Sequence, residues 1–337
     1  MKTYSLFASV CFSISVASYA DSLPPLNLDT GRVTVSGLSS GGYMATQFHL
    51  AHSEFVSGAG IIAAGPYNCA QGDISTALAQ CVNKTSDSLN LTAINEVASE
   101  YALQGKIAPL NNLQDDKVWL FHGTLDNRVT AEVSDLLFSQ YKGWTQEENI
   151  VYVSDMAIDH VFPTLSSGGA CDASESPFIG LCNYDAAGEM LNHLLGELTP
   201  PDEALEGRVY SINQLHIAGA NASTMAEEGY VFVPKACEGD NVCELHVSFH
   251  GCNQYADAVD MAYVTQTGIN RWADDNQIVV LYPQTKKSLF MPLNPQGCWD
   301  WWGYTSDEYA TKNGDQIKAV NAMIGALNAN TTEANND

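Results

Sequence analysis

Apolar residues along this 337-residue chain gather into short runs. The runs cover residues 32–36, 55–64, 117–121, 149–153, 230–233, 244–249 and 277–282, and they are rich in β-branched and aromatic side chains. Most are continuously apolar rather than alternating, which is the pattern of strands covered on both faces. Between them, apolar residues recur at helical spacing over residues 41–52, 186–195, 256–275 and 316–327. Strands alternating with helices predict an α/β fold with a mostly parallel central sheet and helices on both faces. Residues 230–233 and 244–249, joined by a cysteine-flanked turn, read as an antiparallel hairpin added to that sheet.

The segments outside this pattern divide the chain further. Residues 1–20 carry one charge at Lys2, an apolar run and small residues at Ser18 and Ala20, the layout of a cleavable secretory signal. Lipid anchoring at Cys11 is the weaker alternative, because Val10 is a poor small-residue neighbour. Residues 21–337 then form a single catalytic domain. Within it, residues 66–115 are polar and only weakly helical, an excursion outside the sheet. Residues 199–206 resemble a linker, and the polar tail 328–337 is expected to fray. Sequons stand at Asn83, Asn90, Asn221 and Asn330.

Composition narrows the partners. A net charge of −25 leaves no basic footprint for nucleic acid or anionic membranes, so a neutral substrate fits better. No later stretch is apolar for long enough to span a bilayer. A monomer, secreted or periplasmic, is expected. Without Cys11, eight cysteines remain, an even number that reads as four disulfides. Their spacing lacks the paired CxxC of a zinc site, and no metal or organic cofactor is implied. Pairing sequence neighbours is simplest: Cys69 with Cys81, Cys171 with Cys182, Cys237 with Cys243, and Cys252 with Cys298.

The chemistry begins at residues 37–42, Gly-Leu-Ser-Ser-Gly-Gly, where a GxSxG turn lies between a strand and a helix. That context makes Ser39 the candidate nucleophile and the amide of Ser40 a candidate oxyanion donor. A serine hydroxyl needs a base, and the base needs an orienting acid. His160 follows the run 149–153 in a loop that can return over the sheet's carboxyl edge. Asp126, in the loop after residues 117–121, is the matching acid, with Asp155 and Asp159 as competitors close in sequence to His160. His49, His52 and His193 lie in helical patterns and read as packing or surface residues. His122 and His250 each end a strand in a His-Gly pair and read as buried, satisfied imidazoles, with His250 also held as a substrate contact.

A second oxyanion donor is required, and residues 250–252, His-Gly-Cys, supply the Cys252 amide about 210 residues after Ser39. Placing everything from residue 230 ahead of the N-terminal strand restores the usual α/β-hydrolase order. A circularly permuted α/β-hydrolase fold is therefore predicted; chain termini often lie close enough together to allow it. The aromatic residues Trp299, Trp301, Trp302 and Tyr304 are candidates for substrate contact. In an extended segment Trp299 and Trp301 would share one side and Trp302 the other. Trp302, Trp301 and Tyr43 are taken as substrate-binding residues; for Phe290-Met291-Pro292 ordinary loop packing is the favoured reading and an apolar rim the alternative.

Together, Gly37 to Ala45, His122 to Asp126, His160 to Pro163, His250 to Cys252 and the Cys-Trp-Asp-Trp-Trp of residues 298–302 resemble the poly(3-hydroxybutyrate) depolymerase family. The permuted order looks like its single-domain, fungal-type members. The resemblance implies Ser39, Asp126 and His160 as the triad, the amides of Ser40 and Cys252 as the oxyanion hole, and a Cys252–Cys298 bridge. It implies a secreted serine esterase acting on a polyester polymer or oligomer. Esterases of acetylated or feruloylated polysaccharide share the HGC and CW motifs and are the alternative; a non-catalytic polymer-binding protein is the remote one. Asp159 departs from the glycine more usual before the histidine. A carboxylate there either raises the histidine's pKa or points to solvent.

Overall fold

The computed structural model describes residues 23–82, 89–202 and 204–333, so the expected signal segment with Cys11 and the sequon at Asn83 lie outside the described residues. Its centre is an eight-stranded sheet. The first half of the chain supplies β1 (Asn27–Leu38), β2 (Val56–Ile62), β3 (Lys117–Phe121) and β4 (Ile150–Val153). The second half supplies β8 (Arg208–Asn213), β9 (Glu228–Val233), β10 (Val242–Phe249) and β11 (Ile278–Tyr282). Across the sheet the order is β4-β3-β2-β1-β10-β11-β9-β8. Every pairing is parallel except those of β9 with β11 and with β8, so β9 alone runs against the rest. Counted from β8, the strands stand in the order first, second, fourth, third, fifth, sixth, seventh, eighth. This is the α/β-hydrolase arrangement, permuted as the motif order predicts.

The expected hairpin is not formed. β11 lies between β9 and β10 and pairs with both, while β9 makes its hairpin with β8. β8 is the strand missing from the sequence reading. Within it, Tyr210 to Asn213 alternate between buried and exposed positions, as an edge strand with one wet face does. The Cys237–Cys243 bridge closes the connection from β9 to β10 rather than a two-strand turn.

Helices cover both faces: α1 (Ser40–Ala51), α2 (Ile74–Gln80), α3 (Leu91–Leu103), α4 (Ala131–Lys142), α5 (Ala186–Leu195) and α6 (Gln214–Ala218). The single helix expected over residues 256–275 is broken into α7 (Ala256–Val259), α8 (Ala262–Gln266) and α9 (Ile269–Asp275). Asp260 at φ 52° and Gly268 at φ 86° interrupt it, since left-handed residues cannot continue a right-handed helix. The last helix, α10 (Asp315–Glu333), runs through most of the tail expected to fray. A small sheet of β5 (Phe162–Thr164), β6 (Gly169–Ala170) and β7 (Ile179–Leu181) follows β4, and the Cys171–Cys182 bridge closes it. The excursion at 66–115 carries α2 and α3, pinned at its start by Cys69–Cys81.

β1 is the central strand, and its two faces differ. Val33 and Val35 enter the apolar core beside Leu245 and Val247 of β10. On the other face Thr34 Oγ1 and Ser36 Oγ lie 2.8 Å from Nδ1 and Nε2 of His246, with Ser248 and Tyr263 extending the chain of hydroxyls. Burial pushes the His246 imidazole down to about 3 and that of His250 to about 4, so both are neutral when folded.

Because their unfolded values stand near 6.5, the stability these histidines confer is fully present above that pH. It is lost as pH falls towards 4. Each adds a slope of up to about 1.4 kcal/mol per pH unit. Urea midpoints between pH 6.5 and 4.5 should therefore fall steadily, and His246→Gln should remove about one histidine's share of the slope. An unchanged slope in that variant would contradict the account.

Candidate active site

The turn after β1 is set by contact rather than by glycine dihedrals. Ser39 itself holds φ 58° and ψ −121°, a conformation that costs on the order of 1–3 kcal/mol in a non-glycine residue. Its amide donates to the Ile62 carbonyl at 2.9 Å, and its carbonyl accepts from Tyr43 at 3.0 Å, opening α1. A Cβ on Gly37 would stand 2.2 Å from the Gly41 carbonyl oxygen, and one on Gly41 would stand 2.1 Å from that of Phe249. The two glycines thus let α1 start directly against the strand ends, with Ser39 projecting into a cleft of about 520 Å³.

The loops after β3 and β4 are zipped together. Thr124 and Leu125 donate to the carbonyls of Met156 and Ile158 at 2.8 and 3.1 Å. Gly123 permits this, since a Cβ there would lie 2.0 Å from the Ile158 oxygen. The result brings Asp126 Oδ2 to 2.7 Å from His160 Nδ1, with both side chains buried. Asp126 Oδ1 accepts from the amides of Arg128 and Val129 at 2.8 and 3.0 Å. Burial raises the carboxyl's pKa, but the His160 hydrogen bond and charge together with those amides outweigh it and hold Asp126 below the usual carboxylate value. His122 donates to the Val129 carbonyl at 2.9 Å and closes the loop as a satisfied imidazole.

Asp159 neither faces the imidazole nor points into solvent. Its carboxylate accepts from the His160 amide at 2.7 Å and from the Ser174 amide at 3.0 Å, which fixes the backbone under the histidine. Asp155 is exposed. His49 and His52 are buried packing residues, and His193 is half-buried on the Asn149 carbonyl.

Ser39, Ser40, His160 and Cys252 all line the cleft. The amides of Ser40 and Cys252 have no acceptor among the described residues. The Gly251-Cys252 peptide is held on several sides. His250 Nδ1 donates to the Gly251 carbonyl at 2.7 Å, the Gly251 amide donates to Gln254 Oε1 at 2.7 Å, and Cys252 is bonded to Cys298. His250, expected as a substrate contact, does not line the cleft. It is fully buried behind the cleft wall, and its Nε2 accepts from the Thr285 amide at 3.2 Å.

The tryptophan segment is bent, not extended, so the alternation expected of it fails. The buried Asp300 carboxylate accepts from the amides of Gly303, Tyr304 and Thr305 and curls the chain. Trp299 is core, edge-on to Phe249, whereas Trp301 and Trp302 both reach the cleft. Trp301 stacks on Tyr43 with ring centroids 4.7 Å apart, and the Tyr43 hydroxyl donates to the Cys81 carbonyl. Phe290 and Met291 are highly exposed and lie outside the cleft lining. Sequence reasoning missed Asp300, Gln254, Arg128 and Phe178. Gln254 bridges the oxyanion loop to the carbonyls of Pro177 and Phe178, a link with no local signature.

A permuted α/β-hydrolase sheet carrying a serine at a strained turn and a carboxylate-oriented histidine on one cleft defines a serine hydrolase. Residues 13–179 match the prolyl oligopeptidase family of peptidases. The chain is 42% identical over 317 residues to a poly(3-hydroxybutyrate) depolymerase of Delftia acidovorans, covering 93% of this chain but only 63% of that protein. It is 36% identical over 324 residues to a polyhydroxybutyrate depolymerase of Talaromyces funiculosus, covering 91% of this chain and 92% of that one. The crystal structure of PHB depolymerase from Penicillium funiculosum superimposes with a TM-score of 0.85 at 33% identity, over 92% of this chain and 99% of that one. A serine-to-alanine variant of a PHB depolymerase complexed with an R3HB trimer matches equally well. The chain belongs to the polyhydroxybutyrate depolymerase family.

Proposed function

We propose that this protein is a secreted serine esterase that hydrolyses poly(3-hydroxybutyrate) and its oligomers through an acyl-enzyme on Ser39. The observation that carries the reading is the 2.7 Å contact of Asp126 with His160 Nδ1. It commits Nδ1 as donor and leaves Nε2 as the base on the cleft that also holds Ser39. In acylation Ser39 Oγ bonds to the ester carbonyl carbon as its proton passes to His160 Nε2. The amides of Ser40 and Cys252 bind the oxyanion, and the breaking C–O bond releases an alkoxide that takes the proton back. Water, activated by the same histidine, then cleaves the acyl-enzyme.

A cleft walled by Tyr43, Trp301, Trp302 and Phe178 suits an apolar, uncharged polyester. The names of the relatives point to that substrate rather than to acylated polysaccharide. Four disulfides suit an oxidising, extracellular setting, and a monomer suffices because every proposed catalytic group comes from one chain. Incubation with polymer granules should release 3-hydroxybutyrate and its short oligomers, measured by chromatography, whereas acetylated xylan should release little acetate. The reverse outcome would overturn the assignment.

A further inference from the structure

The described residues that line the cleft carry almost no charge in a protein of net charge −25. Among the described residues, neither an aspartate nor a glutamate lines it, and Arg128 is the one permanently charged side chain there. The guanidinium is fixed in place. Its Nε donates to Ser174 Oγ at 2.6 Å, its Nη2 donates to the Ser174 carbonyl at 3.1 Å, and its centre lies 5.7 Å from the Phe178 ring. Among the described residues it forms no ion pair. Three of its five N–H groups remain for a ligand. An oriented arginine without an acid partner is a ready receptor for a carboxylate.

Its position says which end of a substrate it meets. Ser174 Oγ donates in turn to the His160 carbonyl at 3.1 Å, and the Ser174 amide is held by Asp159. The guanidinium thus stands one residue away from the loop of His160, the group that returns a proton to the leaving alkoxide. When an ester of a 3-hydroxyacid chain is cleaved, the fragment leaving as the alcohol is the one that ends in the free carboxyl group. In the polymer that end is remote. In a dimer or trimer it is one or two units from the broken bond, and it is ionised at neutral pH.

Resting on the polyester reading above, we propose that Arg128 forms a carboxylate subsite for the leaving fragment, tuning the cleft to short oligomers that carry a free acid end. The subsite offsets locally the repulsion that the acidic surface exerts on an anionic oligomer.

The test compares hydrolysis of 3-hydroxybutyrate trimer as free acid and as methyl ester, each followed by kcat/KM. The wild-type protein should favour the acid by about 5- to 20-fold, as a charge-assisted but partly solvated contact allows, and the preference should shrink at high ionic strength. In Arg128→Gln the ratio should fall to near one, and in Arg128→Lys it should be partly kept. The ratio is internal to each protein, so a loss of overall activity does not obscure it. The salt dependence of the wild-type ratio gives the same answer without any substitution. A wild-type enzyme indifferent to the methyl ester, or an Arg128→Gln protein that keeps the preference, overturns the subsite and leaves the polyester reading intact. Failure to hydrolyse either trimer or the polymer removes both.

Discussion

Ser39→Ala should lower turnover of a soluble short-chain ester by roughly 10⁵- to 10⁶-fold, the loss expected when a triad nucleophile is removed. The fold should survive. Ser39 stands at the end of β1 with its amide on Ile62 and its carbonyl on Tyr43, and alanine keeps both bonds. The strained φ of 58° is retained as well, because alanine tolerates it no better than serine does. Ser39→Gly should be equally inactive but more stable, by about 1 kcal/mol, since glycine relieves the strain. Activity by spectrophotometric ester cleavage and melting temperature separate the two effects. An alanine variant with even a tenth of the wild-type rate would remove Ser39 from the mechanism.

Asp126→Asn should cost about 10³- to 10⁴-fold in kcat/KM. The asparagine oxygen can still accept from the amides of Arg128 and Val129, so the loop should keep its course. What changes is the proton on the imidazole. The carboxylate accepts from His160 Nδ1, whereas an amide NH₂ in the same place donates to it. Nε2 then carries the proton and cannot take one from Ser39. If the variant melts like wild type, the kinetic loss reports the tautomer rather than the fold. A loss below about tenfold would point to another acid, of which Asp159 is sequestered by backbone amides and Asp155 is exposed.

Most of the proposed machinery was legible because its parts carry local signals. Ser39 lies in a strand-turn-helix with glycines at fixed spacing, and Asp126 and His160 sit at strand ends. The permuted order followed from where these motifs fall, and the sheet order agrees with it. What escaped was set by long-range contact. β8 was missed because an edge strand with one wet face has a weak apolar signal. The β9–β10 pairing was misread because nothing in two adjacent strands announces that a third, β11, will enter between them. The buried carboxylate of Asp300 that curls the tryptophan segment, and the side-chain amide of Gln254 that joins two loops, act over distances no periodicity encodes. The His-Gly-Cys motif sets His250 beside the oxyanion donor in sequence, yet its ring is buried in the wall that supports that donor and does not line the cleft.

The position of β1 also bears on how the chain is made. In the finished sheet β1 is flanked by β2 on one side and by β10 on the other, with Val35 opposite Val247. A ribosome delivers β1 first and its second neighbour last but one among the strands. The middle of the sheet therefore stays open on one edge until some two hundred further residues have emerged. Closing so long a loop is slow, and an unpaired apolar strand is aggregation-prone while it waits. A chain held unfolded until synthesis ends escapes that exposure. Refolding of this chain should accordingly be limited by the joining of its two halves rather than by either half alone.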